Sequence, residues 1–184
     1  MRIEDLRRED MALIEQVAAM LVNAFAEHHP EAWPDRASAR AEVEESFEEG
    51  RISRVALDDD GAALGWIGGI PQYDGRVFEL HPLVVRPDWQ GRGIGRALVR
   101  DFEERVRARG GLTIQLGTDD ENDQTSLAGL DLFPDVLGHA ARIQNRRRHP
   151  FAFYQRLGYV VIGVLPDANG LGKPDIFMAK SLAR

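Results

Sequence analysis

The stretch 83-LVVRPDWQGRGIGRALV-99 constrains this chain more than any other. Leu83, Val84 and Val85 form an apolar, strand-like run that enters an Arg-Pro turn and meets Gly91, Gly93 and Gly95. Beyond them Ile94, Leu98, Phe102 and Val106 recur every four residues, which predicts a helix that Gly110-Gly111 ends as a C-terminal cap. Where a strand hands over to a helix, the first N–H groups are unpaired and the helix dipole adds partial positive charge, so an anion fits. Glycine lets a phosphate approach the main chain, and Arg92 and Arg96 flank the turn with cations. The glycines are spaced by two each time, unlike the dinucleotide pattern G-x-G-x-x-G, and no Lys-Ser or Lys-Thr follows as a Walker loop requires. A tight turn that merely permits close packing is the other reading of the same glycines.

The rest of the chain supplies the partners of that unit. Apolar spacing predicts helices over residues 10–28 and 37–47, joined by 27-EHHPEAWPDR-36, a two-proline loop expected to hold Trp33 in the open. Residues 51–57 and 63–73 read as a hairpin around 58-DDDGA-62, since Asp60-Gly61 supplies the positive φ of a tight reversal. In 77-VFELHPLVV-85 the alternation breaks at His81-Pro82, and proline cannot donate to a ladder, so a bulge or a sheet edge is expected there. A strand over 112–117, a loop over 118–126, a broken helical region over 127–145, a short helix started by Pro150 and strands over 159–165 and 175–182 follow. That order predicts an α/β (α+β) fold, a mixed sheet with helices packed on its faces, and 184 residues suit a single domain over 1–184.

Composition narrows the chemistry. The chain has no cysteine, which excludes disulfides, thiolate metal sites and cysteine-bound intermediates and fits a reducing cytoplasm. No apolar run is long enough for a membrane span, and the N-terminus lacks a signal-like apolar region. Thirty acidic against 23 basic residues give a net charge of −7, which disfavours nucleic acid as a partner and favours a cationic small molecule. The basic run 144-QNRRRHP-150 reads as a solvated helix end. His28, His29, His139 and His149 lack metal-ligand spacing, and the acids of 118-TDDENDQTS-126 lack the glycine and glutamate of a calcium loop, so no metal is expected.

Two segments carry a resemblance. The run 90-QGRGIG-95, between strand and amphipathic helix, resembles the Q/R-x-x-G-x-G/A pyrophosphate loop of the GCN5-related N-acetyltransferase (GNAT) family, and 153-FYQRLGYVVIG-163 is similar to its second signature, an aromatic pair followed by an L-G-[YF] turn. The segments 65-GWIGGIPQY-73, 78-FELHPLVV-85, 115-QLGTDD-120, 149-HPFAFYQRLGY-159 and 165-LPDANGLGKPDIFMAKSL-182 further resemble aminoglycoside 6'-N-acetyltransferases of the enterococcal type. This likeness covers most of the chain from about residue 63 to 182.

The resemblance implies a GNAT fold whose mostly antiparallel sheet is split by a bulge, acetyl-CoA as cosubstrate, an aminoglycoside 6'-amine as acceptor, direct attack in a ternary complex, and a homodimer. By the same resemblance Gln90, Gly91, Arg92, Gly93, Ile94, Gly95 and Arg96 hold the pyrophosphate, and Leu83, Val84 and Val85 line the pantetheine, with the Leu83 N–H polarising the thioester carbonyl. Those three residues also read simply as a buried strand. Tyr154 falls where the family has a hydroxyl near the sulfur that acts as general acid; without the motif it reads as a core tyrosine. Glu79 and His81 share one strand face, either a solvated one or, by resemblance, the face that contacts or deprotonates the acceptor ammonium. Trp33 and Tyr73 match acceptor-contacting aromatics of the subgroup, with packing as the plain alternative. Asp119 and Asp120 lie in an acidic run that is either solvated or attracts the polycation. Two other functions stay open: acetylation of a polyamine, peptide or other cellular amine, and acyl-CoA binding by a non-catalytic regulator.

Overall fold

The computed structural model describes residues 1–27 and 29–183; His28 lies outside the described residues. Its packing forms two compact units, Met1–Ile114 (with Ala183) and Gln115–Leu182.

In the first unit, strands β1 (Arg2–Asp5), β2 (Ile52–Leu57), β3 (Ala63–Gln72) and β4 (Val77–Val85) form antiparallel neighbours in that order, with helices α1 (Met11–Phe25), α2 (Arg36–Glu45) and α3 (Ile94–Ala108). Side-chain alternation sends the two faces of the sheet to different helices. Val55, Leu57 and Trp66 join Ile14, Val17 and Leu21 of α1 and Ala39 and Val43 of α2 in one core cluster. On the opposite face Gly65 lies beside Ile94 and Leu98, and Gly69 beside Phe102, all of α3. Helices therefore cover both faces, and β2 is buried at all six of its residues.

The predicted helix after the glycines is α3, and its end is a Schellman motif: Gly110, at φ +82°, donates to the Arg107 carbonyl and Gly111 to that of Val106. Helix α2 starts on a capping box, with Asp35 Oδ1 accepting the Ser38 N–H at 2.8 Å. The two early helices and the hairpin stand where the sequence puts them. Strand β1 is an addition: RIED has no apolar alternation, and it is ordered by pairing with β2.

The second unit contains most of β5 (Thr113–Asp119), α4 (Val136–Ala141), α5 (Phe151–Gln155), β6 (Val160–Leu165) and β7 (Asp175–Ser181), with β7 between β5 and β6 and antiparallel to β6. The helical region expected over 127–145 reduces to α4. Pro134 has no N–H to give a helix, and residues 125–126 instead fold back on 144–145 through a Thr125–Asn145 bridge and a Ser126 N–H bond to the Gln144 carbonyl.

Burying β2 on both faces puts a guanidinium inside. Arg54, whose side chain is 4% exposed, donates to both carboxylate oxygens of Asp101 on α3 at 2.7 and 3.1 Å, to Asp5 on β1, and to the Ile3 carbonyl at 3.2 Å. A buried charge whose partner is removed is strongly destabilising. Arg54→Ala is expected to lower the unfolding free energy by about 3–5 kcal/mol in urea denaturation; a loss below about 1 kcal/mol, the range of a surface pair, would show that this charge is not held by the fold.

Candidate active site

The glycine turn follows a short 3-10 segment, Pro87–Trp89. Gly91 and Gly93 take φ values of +74° and +87°, and Gly93 is the N-cap of α3. A β-carbon built at either meets nothing within 4 Å, so their absence of side chain answers a backbone conformation and leaves the outer side open. No side chain caps α3, which leaves its first N–H groups available to an anion, as a pyrophosphate requires. The Gln90 amide donates to the Val85 carbonyl at 3.2 Å and ties the turn to the end of β4. Arg92 lies over the Trp89 ring at 4.5 Å, while Arg86 is engaged by both oxygens of Asp88. Arg96 is exposed and Gly95 half-buried, whereas the Ile94 side chain is in the core, so Ile94 can offer a ligand only its main chain.

The second feature is the bulge in β4. Ile67 pairs with Leu83 but Gly69 pairs with Leu80, so β4 spends one residue more than β3 across His81-Pro82, the interruption expected from the sequence. The extra residue changes which side chains face which way. Leu83, opposite Ile67, and Leu80, opposite Gly69, lie on the α3 face; Val84, Glu79 and His81 turn to the α1–α2 face. The Val84 side chain is buried, and Leu83 and Val85 are half-buried.

Of the sequence-predicted acceptor residues, Glu79 and His81 lie on the α1–α2 face of β4. Glu79 accepts from the Gln72 amide at 2.7 Å. His81, exposed, has its Nε2 3.8 Å from Glu42 Oε1 on α2 and its ring 6.2 Å from that of Trp33. Trp33 is a correction: it is buried, edge-on to Phe25 at 4.7 Å, because the proline loop folds back onto the end of α1 and does not stand in the open. Tyr73 sits on the β3–β4 turn at φ +49°, and the residue is 74% exposed. Glu42 and Gln72 were not among the predicted residues. Glu42 follows the α2 core positions only in the fold, and no local pattern marks its approach to His81.

In the second unit Tyr154 is buried on α5, between the rings of Phe153 at 5.0 Å and Tyr159 at 5.7 Å. Burial pushes its phenol well above the usual tyrosine range, so it stays protonated and can donate a proton. Asp119 is half-buried and accepts from the Asn169 amide, and its carbonyl receives His149 Nε2 at 2.9 Å. Asp120 is a second correction. It is fully buried, and its two oxygens accept the Gln124 and Thr125 N–H groups at 2.7 and 2.8 Å, so it organises the loop and does not face an acceptor. The acidic run is thus a built loop, further held by Lys173 Nζ on the Glu121 carbonyl at 2.6 Å. Among the described residues no group of three or more His, Asp or Glu could hold a metal ion.

The sequence model of the acetyltransferase (GNAT) family matches residues 18–127. The crystal structure of the aminoglycoside 6'-N-acetyltransferase from Enterococcus faecium is 42% identical, with a TM-score of 0.88, over 99% of this chain and 97% of that one. The chain belongs to the GNAT acetyltransferase family. A structure of aminoglycoside 6'-N-acetyltransferase complexed with coenzyme A matches at 42% identity and TM-score 0.90, and one of aminoglycoside 6'-acetyltransferase type Ii at 37% and 0.75, each over 99% of this chain and 97% of the other. As a GNAT protein it uses acetyl-CoA, and the uncapped α3 terminus with its open glycine turn has the donor chemistry that a pyrophosphate needs.

The inward-facing Asp120 yields a stability prediction. Asp120→Asn would set an amide NH2 against one of the two loop N–H groups and should cost about 2 kcal/mol; an unchanged thermal midpoint would mean that the loop is not held by this carboxylate.

Proposed function

We propose that the chain transfers the acetyl group of acetyl-CoA to the 6'-amine of aminoglycosides by direct attack in a ternary complex. The observation that carries this reading is the 42% identity to an aminoglycoside 6'-N-acetyltransferase over nearly the whole of both chains. The placing of Glu79 and His81 on one face of β4, with Glu42 of α2 beside His81, supports it, because carboxylates suit a polycation. The matching lengths of the two chains also support a single acetyltransferase domain over 1–184.

Acetyl-CoA supplies an activated thioester, so no protein nucleophile is needed. In this reading the N–H groups of residues 91–96 and the Arg92 and Arg96 guanidiniums hold the pyrophosphate, and Leu83, Val84 and Val85 present main chain to the pantetheine. The Leu83 N–H, one step past the bulge, polarises the carbonyl. Glu79 takes the proton of the attacking ammonium, directly or through water, with its carboxylate oriented by Gln72. Tyr154 gives its proton to the departing thiolate as the C–S bond breaks, and its burial keeps that proton in place. Asp119 and exposed Tyr73 extend the acceptor contacts.

Net charge −7 argues against nucleic acid, and no helix among the described residues is long and apolar enough to cross a membrane. We read the protein as cytoplasmic, in keeping with its lack of cysteine, and as a homodimer, for which the exposed Val160, Ile162 and Leu165 of β6 provide apolar surface.

An acceptor panel tests the function. Aminoglycosides with a 6'-amine should be acetylated and their 6'-hydroxyl analogues left intact; equal turnover of both, or preference for a polyamine or peptide amine, would overturn the assignment. Tyr154→Phe should lower kcat by about 100-fold with acetyl-CoA affinity within about twofold. Because the phenol stays protonated, the wild type should show no basic limb from Tyr154 below about pH 10; wild-type rates in the variant across the pH range would remove the acid role.

A further inference from the structure

We propose that His149 is a positioning residue that sets the acid and the acceptor loop through opposite nitrogens of a single imidazole, an inference that rests on the roles of Tyr154 and Asp119 proposed above. Its side chain is buried, with the residue 1% exposed, and it lies between two segments of the second unit. On one side Nδ1 accepts the Phe151 N–H at 3.2 Å, the first amide of α5. On the other, Nε2 lies 2.9 Å from the Asp119 carbonyl at the end of β5.

The partners fix the protonation state. A backbone N–H can only donate and a carbonyl can only accept, so Nδ1 must be bare and Nε2 must carry the hydrogen. The ring is therefore the neutral Nε2–H form, with a different partner at each end. Its own backbone is clasped by a single side chain: Asn145 Nδ2 donates to the His149 carbonyl at 2.7 Å and Asn145 Oδ1 accepts its N–H at 3.0 Å. Asn145 is in turn bridged to Thr125, whose N–H binds Asp120. The imidazole is thus seated from behind by the acidic loop's own framework.

The consequence is geometric. Helix α5 is a single turn of five residues, so a shift of Phe151 carries Tyr154 with it. The Asp119 carbonyl bond likewise fixes the main chain that presents the Asp119 carboxylate. Misplacing a reacting group by about 1 Å can cost about 100-fold in rate.

Two near-isosteric variants separate the two functions of the ring. In Gln the amide nitrogen reaches the place of Nε2, so His149→Gln keeps a donor for Asp119 and loses the acceptor for Phe151. In Asn the amide oxygen reaches the place of Nδ1, so His149→Asn keeps the start of α5 and loses the tie to Asp119. With kanamycin-type acceptors bearing a 6'-amine, His149→Gln should lower kcat about tenfold or more, with KM for the aminoglycoside within about twofold. His149→Asn should raise that KM about tenfold, with kcat within about threefold. Equal losses in both variants, or wild-type constants in both, would overturn the proposal. If either variant does not fold, Asn145→Ser takes its place: releasing the clasp should lower kcat and raise KM together, and unaltered constants would overturn the proposal as well. The wild type run beside them separates the two readings. If it acetylates no aminoglycoside, the proposed function fails; if it does and the variants do not divide, only the role of His149 fails.

Discussion

A carbonyl oxygen pressed against a residue with no side chain holds the candidate site in shape. A β-carbon at Gly68 would lie 2.3 Å from the His81 carbonyl oxygen, and one at Gly69 would lie 2.2 Å from the Phe102 ring. Neither distance is possible between real atoms, so both positions in the middle of β3 must be bare. They serve opposite faces: Gly68 admits the bulge of β4, and Gly69 admits the α3 helix that begins at the glycine turn. The proposed acceptor-side residues and the start of α3 are aimed by adjacent positions in one strand.

Charge follows a similar division of labour. Arg54, Asp120 and His149 are polar residues placed inside, each with its partners; Arg54 and His149 join separate elements, while Asp120 closes its own loop. The −7 net charge is carried mostly at the surface, where it costs little and favours cations. Among the acids of the 118–126 stretch, Asp120 therefore builds the loop from inside, while the Asp119 carboxylate accepts from Asn169.

Much of this was legible in the sequence, and particular residues explain where legibility stopped. The four-residue repeat of Ile94, Leu98, Phe102 and Val106 identifies α3, and Gly110 with its φ of +82° ends it where the glycine pair stands. Pro82, lacking an N–H, announces the bulge but not its effect on side-chain direction, which depends on register with β3. The prolines on either side of Trp33 signal a loop but do not say that it returns onto the end of α1 and buries the indole. Asp120 looks like its acidic neighbours in sequence; only the amides of Gln124 and Thr125 closing on it single it out. His149 gave no local signal, since the groups described on its ring nitrogens lie two and thirty residues away.

The three tryptophans occupy three unlike surroundings, each tied to a different part of the molecule. Trp66 is wholly buried and donates from Nε1 to Ser53 at 2.9 Å. Trp33 lies beside His81, and Trp89 lies under Arg92 next to the glycine turn. Indole emission depends on local polarity and on nearby groups able to quench it, so one chain carries separate optical reporters for its core, the proposed acceptor face and the glycine turn. Replacing tryptophans two at a time would let each be watched alone as ligands are added.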